Sequence, residues 1–154
     1  MKKYLQWLIL AGVWAGPAGA AERGGEEQAR QMVARAVAAI QADGAERAIA
    51  AINAAAPAFR QDDLFVFVYD YEGRLLALAA AHKPTATIAM SDIDGLPLAR
   101  GLVRLVKAEQ KGWYGPYKFA DTRSATYEYR KAYCERAGIG MLACVGVYLG
   151  QQRN

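Results

Sequence analysis

Reactive side chains are scarce: the 154 residues include one histidine and two cysteines. H-E-x-x-H, C-x-x-C and G-x-S-x-G are all missing, and His82 has no companions at the spacing of a triad or a metal site. We therefore expect neither an enzyme nor a resident cofactor or metal. Charge is sparse too, with 22% charged residues and a formal net charge of +4. Without Lys2 and Lys3 that falls to +2, too little for a nucleic-acid-binding face. No linker-like stretch and no internal repeat divides the chain, so we expect a single domain. After residue 20 no apolar run reaches the roughly 20 residues of a membrane span.

What is present begins at the N-terminus. "MKKYLQWLILAGVWAGPAGA" has Lys2 and Lys3, a short apolar run, and the small-residue exit Ala18-Gly19-Ala20. This is the pattern of a secretory signal peptide over residues 1–20, leaving a mature domain at 21–154. The expected location is periplasmic or secreted. In that setting Cys134 and Cys144 are disulfide candidates. They lie five residues either side of Ile139, so a hairpin turning over Ala137 to Gly140 would set them opposite each other, within bridging distance. The alternative is two small buried residues in neighbouring strands.

Ala29, Met32, Val33, Ala36, Val37 and Ile40 follow helical spacing, and Asp43-Gly44 ends the pattern. A second, Ala-rich helix spans about residues 45–55 before Pro57. "DLFVFVYDYEGRLLALA" switches to strand character around a Tyr71-Glu72-Gly73 turn. A helix then opens after "SDIDG" and closes at Gly112, followed by strands near 113–120, 126–135 and 141–149. This order implies an α+β layer with an antiparallel sheet and helices on one side.

Some motifs dissolve on inspection. "GIGMLA", residues 138–143, has dinucleotide-type glycine spacing but continues as strand, so it reads as a hairpin turn. "MSDIDG" would place Met90 and Gly101 at calcium-ligand positions, which neither can fill. Arg100, Arg104, Lys107 and Lys111 form a basic helical stripe, by default a solvated face and otherwise a contact for anionic lipid or a partner. His82 reads as an exposed loop residue or as a hydrogen-bonding group at a pocket mouth.

The informative stretch is "GWYGPYKF" followed by "TYEYRKAY". Strand alternation puts Tyr127, Tyr129, Lys131 and Tyr133 on one face, and Glu128, Arg130, Ala132 and Cys134 on the other. A lysine in a row of tyrosines is costly to bury unless an anion meets it. Apolar walls with hydroxyls suit a small ligand carrying a carboxylate, while a core-and-rim role with Lys131 reaching solvent remains the other reading.

"ARAVAAIQADGAERAIAAIN", "DLFVFVYDYEGRLLA", "DIDG", "KGWYGPYKF", "RKAY" and "VGVY" occur in the order and rough spacing of a single Cache domain, which the chain resembles from about Glu26 to Leu149. Cache domains are PAS-like extracytoplasmic sensor domains of bacteria. The resemblance implies a five-stranded antiparallel sheet with a long N-terminal helix on one face. A short helix and loops over the other face would enclose a small-molecule pocket. Lys131 and Tyr133 match the family's Lys-x-Tyr block, and Trp113 and Tyr117 its Gly-Trp-x-x-Tyr block. Residues 78–94 depart from the usual pattern, with His82 and Thr85 where other contacts are common.

The expected ligand-binding set is thus Lys131, Tyr133, Tyr129, Tyr117, Trp113 and His82. The expected function is a binding module for a small anionic metabolite such as a short carboxylate. It would signal through a partner protein, since the chain shows no output module, and its long helix suits a homodimer. The rival from another class is a structural or protein-interaction domain whose pocket is vestigial. The structural runner-up is a cystatin-like α+β fold.

Overall fold

The structure, a computed structural model, describes residues 25–80, 97–121 and 126–150. The proposed signal segment, His82 and the "DIDG" stretch therefore lie outside the described residues. Helix α1 (Glu26–Asp43) begins with Glu26 and Glu27, whose charges complement the positive end of the helix dipole. The Gly25 N–H donates to Gln28 Oε1 at 2.9 Å, satisfying one orphan donor. Gly44, at φ +85°, breaks the chain between α1 and α2 (Ala45–Asn53). A 3-10 turn at Pro57–Phe59 and a two-residue strand β1 (Arg60–Gln61) lead into the sheet.

Strands β2 (Leu64–Asp70), β3 (Leu75–Leu78), β4 (Lys111–Asp121), β5 (Thr126–Arg136) and β6 (Met141–Gly150) pair antiparallel throughout. Their order is β1-β2-β6-β5-β4, with β3 also against β2. These are the five expected strands; the short β1 is an addition. Helix α3 (Leu98–Glu109) lies where a helix was expected, but on the opposite face from α1 and α2. The reading of helices on one side alone is corrected by the amphipathic stripe of α3, which buries Leu98, Leu102 and Val106 against its own side of the sheet.

Two cores result. On one side Met32, Val33, Ala36 and Ile52 pack on Val66, Val68, Val145 and Val147. On the other, Leu98, Leu102 and Val106 pack on Phe67, Tyr69, Leu142 and the two cysteines. With both faces roofed, β2 is buried almost along its whole length, which is why "LFVFVYD" lacks a polar alternation. Asn53 finishes the far edge: its Nδ2 donates to Leu76 O at 3.3 Å and its Oδ1 accepts from Leu78 N–H at 3.1 Å. Among the described residues no helix is long and apolar enough to cross a membrane.

Cys134 and Cys144 are opposed in the β5–β6 register and form the disulfide, with 4.1 Å between their Cα atoms. The hairpin geometry inferred from the sequence is the one observed. Closing ten residues of chain, the bridge contributes about 2–3 kcal/mol by loop entropy. Cys134→Ala/Cys144→Ala should lower unfolding free energy by about that amount in denaturant titrations, as should reductant on the parent.

Asp70 holds the β2–β3 turn. Its Oδ1 accepts from the N–H groups of Glu72 and Arg74 at 3.0 and 2.8 Å, and Arg74 Nε donates to Oδ2 at 2.5 Å. Burial pushes its pKa up, but the hydrogen bonds and charge of Arg74, with the Glu72 N–H, outweigh that and hold it below the ordinary value of 3.8. A depressed carboxylate stabilises the fold above its unfolded pKa, and that contribution is lost as pH falls through the lowered folded value. Stability measured from pH 5 downward should therefore fall less steeply in Asp70→Asn than in the parent.

Candidate functional site

The placement of every aromatic in β4 turns on one extra residue. Trp113 opposes Tyr133 and Tyr114 opposes Ala132, but the next pair is Tyr117 with Arg130. Three steps on β4 thus match two on β5, a bulge centred on Gly115-Pro116. Gly115 has φ +132°, and a Cβ there would stand 3.0 Å from Arg130 O and from Lys131 Cα. Only glycine fits that approach. Without the bulge, alternation would keep Tyr117 on the face of Trp113; with it, Tyr117 joins Tyr114 on the α3 side.

The face beneath α1 holds Trp113, Tyr133 and Lys131. The two rings are 5.2 Å apart by centroid, and the Arg30 guanidinium of α1 lies 5.6 and 5.2 Å from them. Lys131 Nζ sits 4.6 Å from the Trp113 ring and pairs with Glu26 Oε1 at 2.5 Å. Tyr133 donates its hydroxyl to Glu135 Oε1 at 2.8 Å. Burial, and then that hydrogen bond, push the Tyr133 pKa up to about 12. Tyr129, half-buried, shares this face by alternation. The anion that Lys131 requires is thus supplied by the first turn of α1.

The opposite face carries a second polar group. Arg130 Nη2 donates to the Tyr148 hydroxyl, with the guanidinium carbon 4.0 Å from the centre of that ring. Tyr117 is buried beside them, its hydroxyl so close over Gly146 that a Cβ there would be 3.2 Å away. Burial raises the Tyr117 pKa well above the ordinary phenol value; the Arg130 charge pulls it back, while Tyr69 and Tyr148 push it further up. Those influences place Tyr69 of β2, Arg130 of β5 and Tyr148 of β6 within electrostatic reach of Tyr117. Glu128, only 2% exposed, is two residues along β5 from Arg130. The surroundings are apolar: Phe67, Ala132 and Leu102 belong to the same core.

Of the six expected ligand residues, the structure therefore places Tyr117 on the α3 face and Lys131, Tyr133, Tyr129 and Trp113 on the α1 face. His82 lies outside the described residues. The expectation that one face gathers the set is corrected by the bulge and by Glu26. Arg130, Tyr148 and Tyr69 were not singled out from the sequence. Alternation did put Arg130 opposite Lys131, but nothing in the strand itself tells which of two cations faces which helix. Among the described residues no group of three His, Cys, Asp or Glu side chains could hold a metal ion.

No family model matches the chain, and no curated protein does. Solved structures do. A methyl-accepting chemotaxis protein from Vibrio parahaemolyticus RIMD 2210633 matches with a TM-score of 0.59 and 16% identity, over 80% of this chain and 87% of that one. A periplasmic sensor domain of a chemotaxis protein gives 0.53 and 22%, over 80% and 89%. A Cache chemosensory domain that recognises carboxylic acid gives 0.52 and 15%, over 80% and 87%. The chain thus has the PAS-like α+β fold of a single Cache-like domain, shared with bacterial chemosensory proteins.

Gly115→Ala should destabilise the protein by about 1–3 kcal/mol, because the strained φ and the contact with β5 cannot both be relieved. Tyrosine fluorescence and chemical shifts on the α3 face should move with it, since Tyr117 loses its register. A neutral substitution would show that β4 does not need the bulge.

Proposed function

We propose that the protein is an extracytoplasmic sensor-type module that binds a small anionic molecule, such as a short carboxylate, on the α3 face of its sheet. The observation that carries this reading is the half-buried Arg130 guanidinium stacked on the Tyr148 ring beside the buried Tyr117. A guanidinium offers a planar fork of donors that matches a carboxylate, and charge-assisted hydrogen bonds of this kind contribute about 1.5–3 kcal/mol each. Tyr148, Tyr117 and Tyr69 supply hydroxyls and ring walls, the mix usual in small-molecule sites. The fold shared with a Cache domain that recognises carboxylic acid supports the same ligand class. The leader-like residues 1–20 support export. Signal would pass to a partner protein, and Lys131, Tyr133 and Trp113 would keep α1 in place while it does.

A second reading has its own observation. Arg130 already binds Tyr148, and the Tyr117 hydroxyl already rests over Gly146, so the polar group would also serve as a filled, purely structural core.

The test is a thermal-shift panel of carboxylates, amino acids and amides against the parent, Arg130→Gln and Lys131→Ala. At one hundred times its dissociation constant a ligand adds about 2.7 kcal/mol, which is roughly 5–10 °C at this size. The expected result is a shift confined to one class of anion, lost in Arg130→Gln and kept in Lys131→Ala. A shift that survives Arg130→Gln removes the anchor. No shift from any compound favours the structural reading.

A further inference from the structure

Beyond the sheet, α3 shows its outer face to a groove. The groove encloses about 560 Å³ between α3 and the β2–β3 turn. Arg100, Arg104 and Lys107 line the helix side, with Tyr71 and Glu72 across from them and Val103 in the wall. All three cations are exposed, and among the described residues neither arginine has a salt bridge. Lys107 Nζ lies 5.0 Å from the Tyr71 ring centre. Glu72 is the acid among the described lining residues, and it lies 3.7 Å from Arg74. The basic stripe read from the sequence is therefore the wall of a concavity and not only a solvated helix face.

We propose that this groove docks an acidic, extended segment of the partner protein, with carboxylates at alternate residues. Geometry selects that shape. Arg100 and Arg104 are one helical repeat apart, a rise of about 6 Å, and Lys107 extends the row to about 10.5 Å. Same-side residues of an extended chain repeat every 6.6–6.8 Å or so, close to the Arg100–Arg104 rise. A strand-like peptide laid along α3 thus meets Arg100 and Arg104 with two alternate acids. Lys107 adds its charge about 4.5 Å beyond the second, and the Tyr71 ring packs on the peptide backbone. A membrane fits less well, because the cations line a recess and Glu72 stands at its rim, where an anionic lipid sheet would approach. The proposal rests on the sensor reading for the existence of a partner, but it uses a separate surface. Arg130 is not among the residues that line the groove.

The experiment is fluorescence anisotropy with the purified protein and a labelled decapeptide alternating glutamate and serine. Controls are the same peptide with glutamine for glutamate, and vesicles of phosphatidylglycerol and phosphatidylcholine. Saturable binding that weakens with added salt is expected, reduced about ten-fold or more in Arg100→Ser/Arg104→Ser and unchanged in Arg47→Gln, an exposed cation of α2 outside the groove. Far-UV circular dichroism checks the fold of each variant. If the double variant does not fold, Lys107→Gln, altering a single exposed side chain, should still weaken binding about three-fold. Three results would overturn the proposal: no saturable binding by the parent, equal binding of the glutamine peptide, or capture of vesicles through these arginines without capture of the peptide. No thermal shift of the parent from any small molecule, with peptide binding retained, would sink the ligand site and leave the groove standing.

Discussion

A strand in the middle of this sheet has hydrogen-bonded neighbours on both edges and helices packed on both faces, so β5 is largely screened from water, with Glu128 buried and Tyr129, Arg130 and Lys131 half-buried. Each polar side chain it carries must find its counterpart within the protein or in something the protein binds. Lys131 finds Glu26 and two aromatic rings. Arg130, the adjacent residue pointing the other way, finds Tyr148 and shares its field with Tyr117. Two neighbouring cations are thus committed to opposite layers, one to holding a helix and the other to a buried polar group. The division of labour follows from strand geometry alone, once both faces are covered.

Much of this was legible in the chain. Helical spacing from Ala29 to Ile40 set α1, the Asp43-Gly44 break ended it, and the symmetry of the cysteines about Ile139 gave both hairpin and bridge. The alternation along β5 was also readable. What the sequence could not express was which face met which helix. That choice depends on Glu26, more than a hundred residues earlier, and on a bulge whose only local sign is Gly115 before Pro116. A single added residue reverses the face of Tyr117, and no periodicity argument survives such a reversal unless the bulge is known. Arg130 was passed over because Lys131, in the tyrosine row and in the Lys-x-Tyr block, drew the anchor role to itself.

The two cations also bind the layers mechanically. Glu26 and Arg30 attach the first turns of α1 to β5 and to the Trp113–Tyr133 pair, while Arg130 and Ala132 attach the next positions of the same strand to the α3 core. Any displacement of β5 imposed at Arg130 is felt at the beginning of α1, because packed interiors transmit strain and do not absorb it. Tyr133 sits at the junction. Its raised pKa means that the part of the stability tied to its neutral hydroxyl is complete below pH 10 and disappears as pH rises through about 12.

The two outer edges of the sheet are closed by different devices. On one side the Asn53 amide occupies β3 as a strand would, giving one hydrogen bond and taking another. On the other, β4 carries an exposed Gly115-Pro116 kink, where proline offers no donor and the bulge bends the ladder away. Blocked edges deny incoming chains a template, so strand-by-strand growth into fibrils is suppressed at both ends of the sheet. A sheet with protected ends keeps its pairing within one chain even when its helices loosen.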